Sequence, residues 1–474
     1  MSHKKKSVPL QSSISVQEPG KRPNLKALPP ASKYKPYLER FDVELPDRRW
    51  PDRTMSAAPT WCSVDLRDGN QALVNPLSLE QKLRFYHYLV AMNFKEIEIS
   101  FPAASAVEFD FTRLLIEQKL VPEDVNPQVI TQARDQLIDK TFEAIVGARQ
   151  AIVHLYNSTS EVQRRVVFKL PDNEIIRIAV NGTKRVLKRA RECDTQVTLQ
   201  YSPESFTGTE LWFARDICRA VIDVWEPSAE RPLIINLPAT VEVSTPNVHA
   251  DQIEWMIRQF EDITEHLTFS VHTHNDRGTG VASAELALLA GATRVEGTLF
   301  GNGERTGNVD LITMALNLYA QGVDPELHLG DLQAIQQLAC EMTELPIHPR
   351  HPYAGELVFT AFSCSHQDAV SKGLLALKTG ASHEWEVPYL SIDPADIGRT
   401  FESLVRINSQ SGKGGIAYVL ESSFGYSLPK KMHPEVSAAV QFATEQSGKE
   451  LSLEDVFRIF EEVFLDPANA QLSL

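Results

Sequence analysis

From Trp61 onward, short apolar runs alternate with longer stretches whose apolar positions recur at helical spacing. Strands are predicted at Trp61 to Leu66, Glu96 to Phe101, Gln128 to Thr131, Ala151 to Tyr156, Gln196 to Tyr201, Pro232 to Leu237, Leu267 to His272 and Arg294 to Leu299. Between them, helical periodicity runs from Leu79 to Met92, Phe109 to Gln118, Asp135 to Gly147, Glu174 to Arg191, Thr209 to Val224, Asp251 to Glu265 and Val281 to Leu289. Eight strand-helix units in roughly 250 residues predict an α/β chain built as a (β/α)8 TIM barrel. A doubly wound open sheet is the other arrangement of such units. A glycine-rich phosphate fingerprint at the first βα turn would favour it, and Asp65-Leu66-Arg67-Asp68-Gly69-Asn70-Gln71 is not one.

A barrel places the C-terminal ends of all strands on one face, and ionisable or metal-capable residues collect at these ends. Strand one ends in Arg67 and Asp68, strand four in His154, strand five in Ser202 and Glu204, strand six in Pro238 and Thr240, and strand seven in His272 and His274. Side chains alternate across a strand, so His272 and His274 point the same way and can share an ion. A bare His-x-His is more often a surface or hydrogen-bonding pair, but this one ends an apolar strand and enters the polar turn Asn275-Asp276-Arg277-Gly278. With Asp68 it makes a two-histidine, one-carboxylate set that leaves positions open for substrate and water, to be completed by an oxygen ligand from the strand-eight loop. Arg67 is either a fixed cation for a carboxylate or enolate oxygen, or a salt-bridge partner of a neighbouring acid.

Two glycine-rich stretches do not carry the chemistry they suggest. Gly301-Asn302-Gly303-Glu304-Arg305-Thr306-Gly307 has one residue too many for a dinucleotide fingerprint and follows the last strand. Gly412-Lys413-Gly414-Gly415 lacks the Ser or Thr of a phosphate loop.

At 474 residues the chain is long enough for two to three domains. With 47 Lys and Arg against 62 Asp and Glu, the net charge of -15 excludes a general nucleic-acid surface. Five scattered cysteines, Cys62, Cys193, Cys218, Cys340 and Cys364, form no C-x-x-C pair, which fits a reducing compartment. No apolar run is long enough to cross a membrane and no apolar core follows Lys4-Lys5-Lys6, so a cytoplasmic location is expected. Residues 1–35, rich in Ser, Pro and Lys, read as a disordered arm, with a transit peptide as the other reading. Residues 36–344 then hold the catalytic barrel with its N-terminal extension. The helix breaker Leu345 to Tyr353 is expected to be a flexible linker with His348 and His351 in solvent, and residues 345–474 to be linker and small helical subdomains.

Several segments, in one order, carry a family resemblance. Asp65 to Gln71, Ser202 to Phe206, Asn236 to Glu242, His272 to Gly278, Gly301 to Asn308, Ser363 to Asp368 and Asn408 to Gly415 resemble the signatures of the metal-dependent Claisen-condensing barrel enzymes. Within them, the similarity is to the 2-isopropylmalate synthases, from about Lys33 to Leu465. The resemblance implies joining of acetyl-CoA to 3-methyl-2-oxobutanoate in leucine biosynthesis. It implies a divalent metal ion (zinc, manganese or magnesium) held by Asp68, His272, His274 and Asn308, with a monovalent cation as an additional candidate. It sets Arg67 and Thr240 on the 2-oxo acid's oxygens, His154, Tyr156, Ser202 and Pro238 around its isopropyl group, and Gly303 and Glu304 on the acetyl-CoA side. The base would be His366, from beyond the barrel, with Glu204 and Tyr389 near it in function. Glu204, at a strand end, is the alternative acid or base.

The resemblance further implies a homodimer in which the helical region of one subunit reaches over its partner's barrel. Longer relatives carry a leucine-sensing domain after this point, so a rate insensitive to leucine is expected of this polypeptide. The rival readings are a sibling synthase making homocitrate or citramalate, a metal-dependent lyase or aldolase on the same barrel, and a metal-bound protein without catalysis.

Overall fold

The computed structural model describes residues 31–34, 43–360, 364–380, 384–399, 413–447 and 451–465. It separates into two units, residues 1–42 and 43–474. In the first, a single 3-10 turn at Ala31–Lys33 is described, and the rest of the expected arm lies outside the described residues, as do residues 408–412.

In the second unit the alternation becomes eight strands: β1 Thr60–Ser63, β2 Glu96–Ser100, β3 Asn126–Gln132, β4 Gln150–Ser158, β5 Gln196–Glu204, β6 Leu233–Ala239, β7 Leu267–Thr273 and β8 Arg294–Gly297. They pair in parallel, in chain order, and close into one barrel. Around it run α1 Leu79–Ala91, α2 Ala106–Glu117, α3 Asp135–Ile145, α4 Asp172–Arg191, α5 Leu211–Trp225, α6 Pro246–Arg258, α7 Gly280–Leu289 and α8 Leu311–Tyr319. The TIM barrel is thus present, and the open sheet is not.

Period-two alternation explains the layering. Ile97, Ile99, Val129, Val153, Leu155, Leu199, Ile235, Leu237, Val271 and Val295 all bury in the main apolar core with the helices. Each such side chain, fully buried, contributes about 1.5–3 kcal/mol. The alternate positions face the barrel axis; most are polar, with Ile130, Ile152 and Ile234 as buried apolar members among them.

Local signals set the helix boundaries. Ser78 begins α1 with a reciprocal capping box, its hydroxyl accepting from Gln81 N–H while the Gln81 side chain accepts from Ser78 N–H. The sixth helix runs from Pro246 to Arg258 rather than from Asp251 to Glu265. Pro246, whose fixed φ and missing N–H suit a first turn, starts it early; Phe260 then turns into the core and a 3-10 turn follows at Thr264–His266. The fourth and sixth strands extend past their expected ends to Ser158 and Ala239, because β4 stays in register with β5 to Ser158↔Glu204 and β6 with β7 to Ala239↔Thr273.

After the barrel come α9 Leu332–Thr343, α10 Cys364–Lys378, α11 Lys413–Phe424, α12 His433–Ser447 and α13 Leu453–Phe460. The proline-rich segment is not a free linker. Ala354 and Phe359 bury in the barrel's core, and His351 is half-buried, its Nε2 3.2 Å from Asp310 Oδ2. The prolines stop helix formation there but do not stop docking; His348 alone of the two histidines is exposed. Ile392 and Ile397 join the same core, whereas α11, α12 and α13 enclose a small one of their own around Leu420, Val440 and Phe460. Among the described residues no helix is long and apolar enough to cross a membrane.

Candidate metal-centred active site

The chain leaves β1 through a tight turn at Asp65–Gly69. The buried Asp65 carboxylate fixes this turn, accepting from Ser63 Oγ at 2.8 Å and from Leu299 N–H at 3.1 Å, which ties the exit of β1 to that of β8. Arg67 and Asp68 are thereby aimed into the barrel mouth. Arg67 donates to Glu98 from Nε and to Asp68 from Nη1.

Across the mouth, His272 and His274 lie on one side of β7 with ring centroids 5.3 Å apart. Their Nε2 atoms stand 3.5 and 3.7 Å from Asp68 Oδ2. That is long for a hydrogen bond but close to the separation of two donors each about 2.1 Å from a shared ion. Asn308 joins through the backbone, bridging to His274, while its Nδ2 donates to Asn302 O at 3.0 Å. The loop wraps Asn308 tightly because of its glycines: Gly307 has φ +93°, and a Cβ there would fall 1.9 Å from Gly301 O. A Cβ on Gly303 would fall 2.3 Å from Asn308 Nδ2.

The donor set fits a cation. Asp68 Oδ2 and Asn308 Oδ1 are buried with no hydrogen-bond partner among the described residues, a condition that costs about 1–3 kcal/mol per group unless something else satisfies it. Burial pushes the Asp68 carboxyl up, but the Arg67 guanidinium and the two histidines outweigh it and hold it well below the usual range. Burial pushes His272 down, yet the nearby Asp68 carboxylate and the hydrogen-bonded Glu296 carboxylate raise it to about 10. His274 drops to about 4 through burial and the charge on His272.

Beneath this set lies a closed ring of hydrogen bonds that sequence reasoning missed. Glu98 Oε2 meets His154 Nδ1 at 2.7 Å, and His154 Nε2 meets Ser202 Oγ at 2.7 Å. Asn236 Nδ2 donates to Ser202 Oγ at 3.0 Å and to Glu296 Oε2 at 3.1 Å. Gln128 Nε2 donates to Glu296 Oε1 at 3.0 Å and back to Glu98 Oε2 at 2.6 Å. Five strands and one more, β2, β3, β4, β5, β6 and β8, contribute one member each. Arg294, buried, neutralises the ring from below through Glu296, Glu96 and Gln128 Oε1. Glu98, His154 and Glu296 are close enough to resemble a second ligand cluster, but they are satisfied by these bonds and Arg67. The available signal was charge on the alternate positions of otherwise apolar strands, Glu96-Ile97-Glu98-Ile99 and Arg294-Val295-Glu296.

A cavity of about 640 Å³ opens above the ring, with Arg67, Asp68, His272 and His274 on one side. Tyr156, Ser202, Pro238, Thr240, Glu204 and Glu304 also line it. Tyr156 Oη accepts from Gln132 Nε2 at 2.8 Å, Thr240 Oγ1 from Ser205 N–H at 3.0 Å, and Glu204 from the Ser158 hydroxyl. Glu304 Oε1 accepts from Gln71 Nε2 at 3.2 Å. The barrel therefore gathers the expected residues of its own strands and loops. It does not gather His366 and Tyr389, which stack on each other 4.0 Å apart, exposed, and do not line this cavity.

The chain matches the HMGL-like family over residues 58–339 and the alpha-isopropylmalate synthase post-catalytic domain-like family over residues 356–421. It is 55% identical over 436 residues to a 2-isopropylmalate synthase of Clostridium acetobutylicum, covering 91% of this chain and 78% of that one. A 2-isopropylmalate synthase of Rhodospirillum rubrum is 54% identical, with 92% and 78% covered, and one of Pseudomonas entomophila 53% identical, with 94% and 79% covered. Identity of this extent, running through barrel and post-barrel region alike, makes the chain a member of the 2-isopropylmalate synthase family.

Proposed function

We propose that the chain condenses acetyl-CoA with 3-methyl-2-oxobutanoate and hydrolyses the thioester, giving 2-isopropylmalate and free CoA at the committed step of leucine biosynthesis. The observation that carries this is the meeting of Asp68, His272 and His274 with the partly buried cation of Arg67 at the mouth of one cavity. A two-histidine, one-carboxylate set beside a fixed guanidinium suits a ligand that chelates through neighbouring keto and carboxylate oxygens.

Asp68, His272, His274 and Asn308 would hold a divalent ion, and zinc, manganese and magnesium all suit their N and O donors. When bound, that ion supplies a Lewis acid that polarises the keto group. Arg67 and Thr240 steady the acid's oxygens. His154, Tyr156, Ser202 and Pro238 surround the branched side chain, and Gly303 and Glu304 border the acetyl-CoA side. A base removes a proton from the acetyl methyl; the carbanion attacks the keto carbon, whose oxygen becomes the hydroxyl; water then cleaves the thioester and the CoA thiol leaves. His366 takes the base role, paired with Tyr389. Because that pair lies off the cavity of its own chain, it serves the barrel of a second copy, making the working unit a homodimer in the cytoplasm. Glu204, already in the cavity, is the second candidate for acid or base.

The test is thiol release from acetyl-CoA by the metal-loaded protein with a panel of 2-oxo acids. Fastest release with 3-methyl-2-oxobutanoate is expected. A preference for 2-oxoglutarate or pyruvate would move the assignment to a sibling synthase, and cleavage of a 3-hydroxyacyl-CoA without any release would move it to a lyase.

A further inference from the structure

Among the carboxylates under the cavity, Glu296 is the one in contact with a proposed ligand. It is wholly buried and accepts five hydrogen bonds. Oε2 takes one from His272 Nδ1 at 2.8 Å and one from Asn236 Nδ2 at 3.1 Å. Oε1 takes three, from Gln200 Nε2 at 2.7 Å, Arg294 Nη1 at 2.9 Å and Gln128 Nε2 at 3.0 Å. Four of these donors are amide or guanidinium groups that can only donate. Both oxygens are thus saturated as acceptors, and the fifth contact must run the same way, with the imidazole giving its Nδ1 hydrogen.

We infer that Glu296 is a positioning residue for His272, holding the ring in the tautomer whose bare Nε2 faces Asp68 and a bound ion. The inference rests on the metal reading above. The two histidines differ in this respect, since His274 Nδ1 has no partner among the described residues; the site has one ligand oriented from behind by a carboxylate and one that is not. Nor is Glu296 present simply to neutralise Arg294, which keeps Glu96, Gln128 Oε1 and Ser270 Oγ without it. A carboxylate behind a ligating imidazole fixes ring angle and raises donor strength, and its loss typically lowers metal affinity 10- to 100-fold.

Glu296→Gln keeps the shape but turns an amide NH2 either toward the three donors on Oε1 or toward Asn236 Nδ2 and His272, where it can be accommodated only by giving His272 the other tautomer. With Zn2+ as the probe, competition against a chromophoric chelator should show a drop in affinity of about 10- to 100-fold. Activity lost at limiting Zn2+ should return at saturating Zn2+, with the KM for the 2-oxo acid little changed. In the Zn2+-loaded wild type, ¹⁵N NMR should show His272 with hydrogen on Nδ1 and a bare, ligating Nε2. A folded Glu296→Gln protein with unchanged Zn2+ affinity, or a His272 whose Nδ1 carries no hydrogen, overturns the inference. If the variant does not fold, the wild-type spectrum decides alone. Wild-type protein that binds neither Zn2+ nor Mn2+ would instead overturn the metal reading itself.

Discussion

The two faces of the same eight strands are built from opposite materials. Outward positions such as Ile97, Val153, Leu199 and Ile235 are apolar and pack on the helices. Inward positions such as Glu98, Gln128, His154, Asn236 and Glu296 are polar, buried and bonded to one another. A TIM barrel interior is ordinarily filled by branched apolar side chains. Replacing much of that filling with a hydrogen-bonded polar ring gives up packing but yields side chains whose directions are fixed before any ligand arrives. The outer face holds the barrel together; the inner face aims the site.

Substitutions on the two faces should therefore separate activity from stability. Asp68→Ala, at the top of the inner face, is expected to lower turnover on the order of 10³-fold and to weaken metal binding, with the thermal transition nearly unmoved. Full turnover would remove Asp68 from the site. Arg294→Met, at the bottom of the same face, strands Glu96 and Glu296 and should cost about 3–5 kcal/mol in urea unfolding; a neutral result would mean that the ring does not depend on its buried cation. Leu199→Ala on the outer face should cost about 2–5 kcal/mol while kcat per folded molecule stays at the wild-type value. A large fall in kcat would show that the two faces are not independent. Lys372→Ala, which removes an exposed partner of Asp368 on α10, should change stability by at most about 0.5 kcal/mol, a background level for the other three.

Much of this was legible in the chain itself. Strand and helix periods identified the barrel, and strand-end positions led to Arg67, Asp68, His272 and His274. Glu98, Gln128, Asn236, Arg294 and Glu296 escaped because they sit before the C-terminal ends of their strands, where a polar residue beside apolar neighbours is read as a half-exposed face; only closure of the barrel turns that face inward and buries it. That Gly303 and Gly307 let the strand-eight loop close on Asn308 depends on the path of the loop, which glycine spacing alone does not specify. The docking of His351 was missed for another reason: proline reports on local backbone shape and is silent about what the segment packs against, here Asp310 and the core around Phe359. The stacking of His366 on Tyr389 joins residues more than twenty positions apart and has no periodic signature.

Seen as a mechanical object, the barrel has a seam. β1 meets β2 through two residue pairs, Cys62↔Glu96 and Ser63↔Ile97, while β4 and β5 share nine. A wall pulled apart or breathing thermally yields first where the fewest stitches hold it, and that line runs directly below the turn bearing Asp68. The Arg67–Glu98 ion pair crosses it like a rivet, joining the turn after β1 to the middle of β2. A guanidinium suited to gripping a substrate thus also clamps shut the most easily opened edge of the wall that supports it.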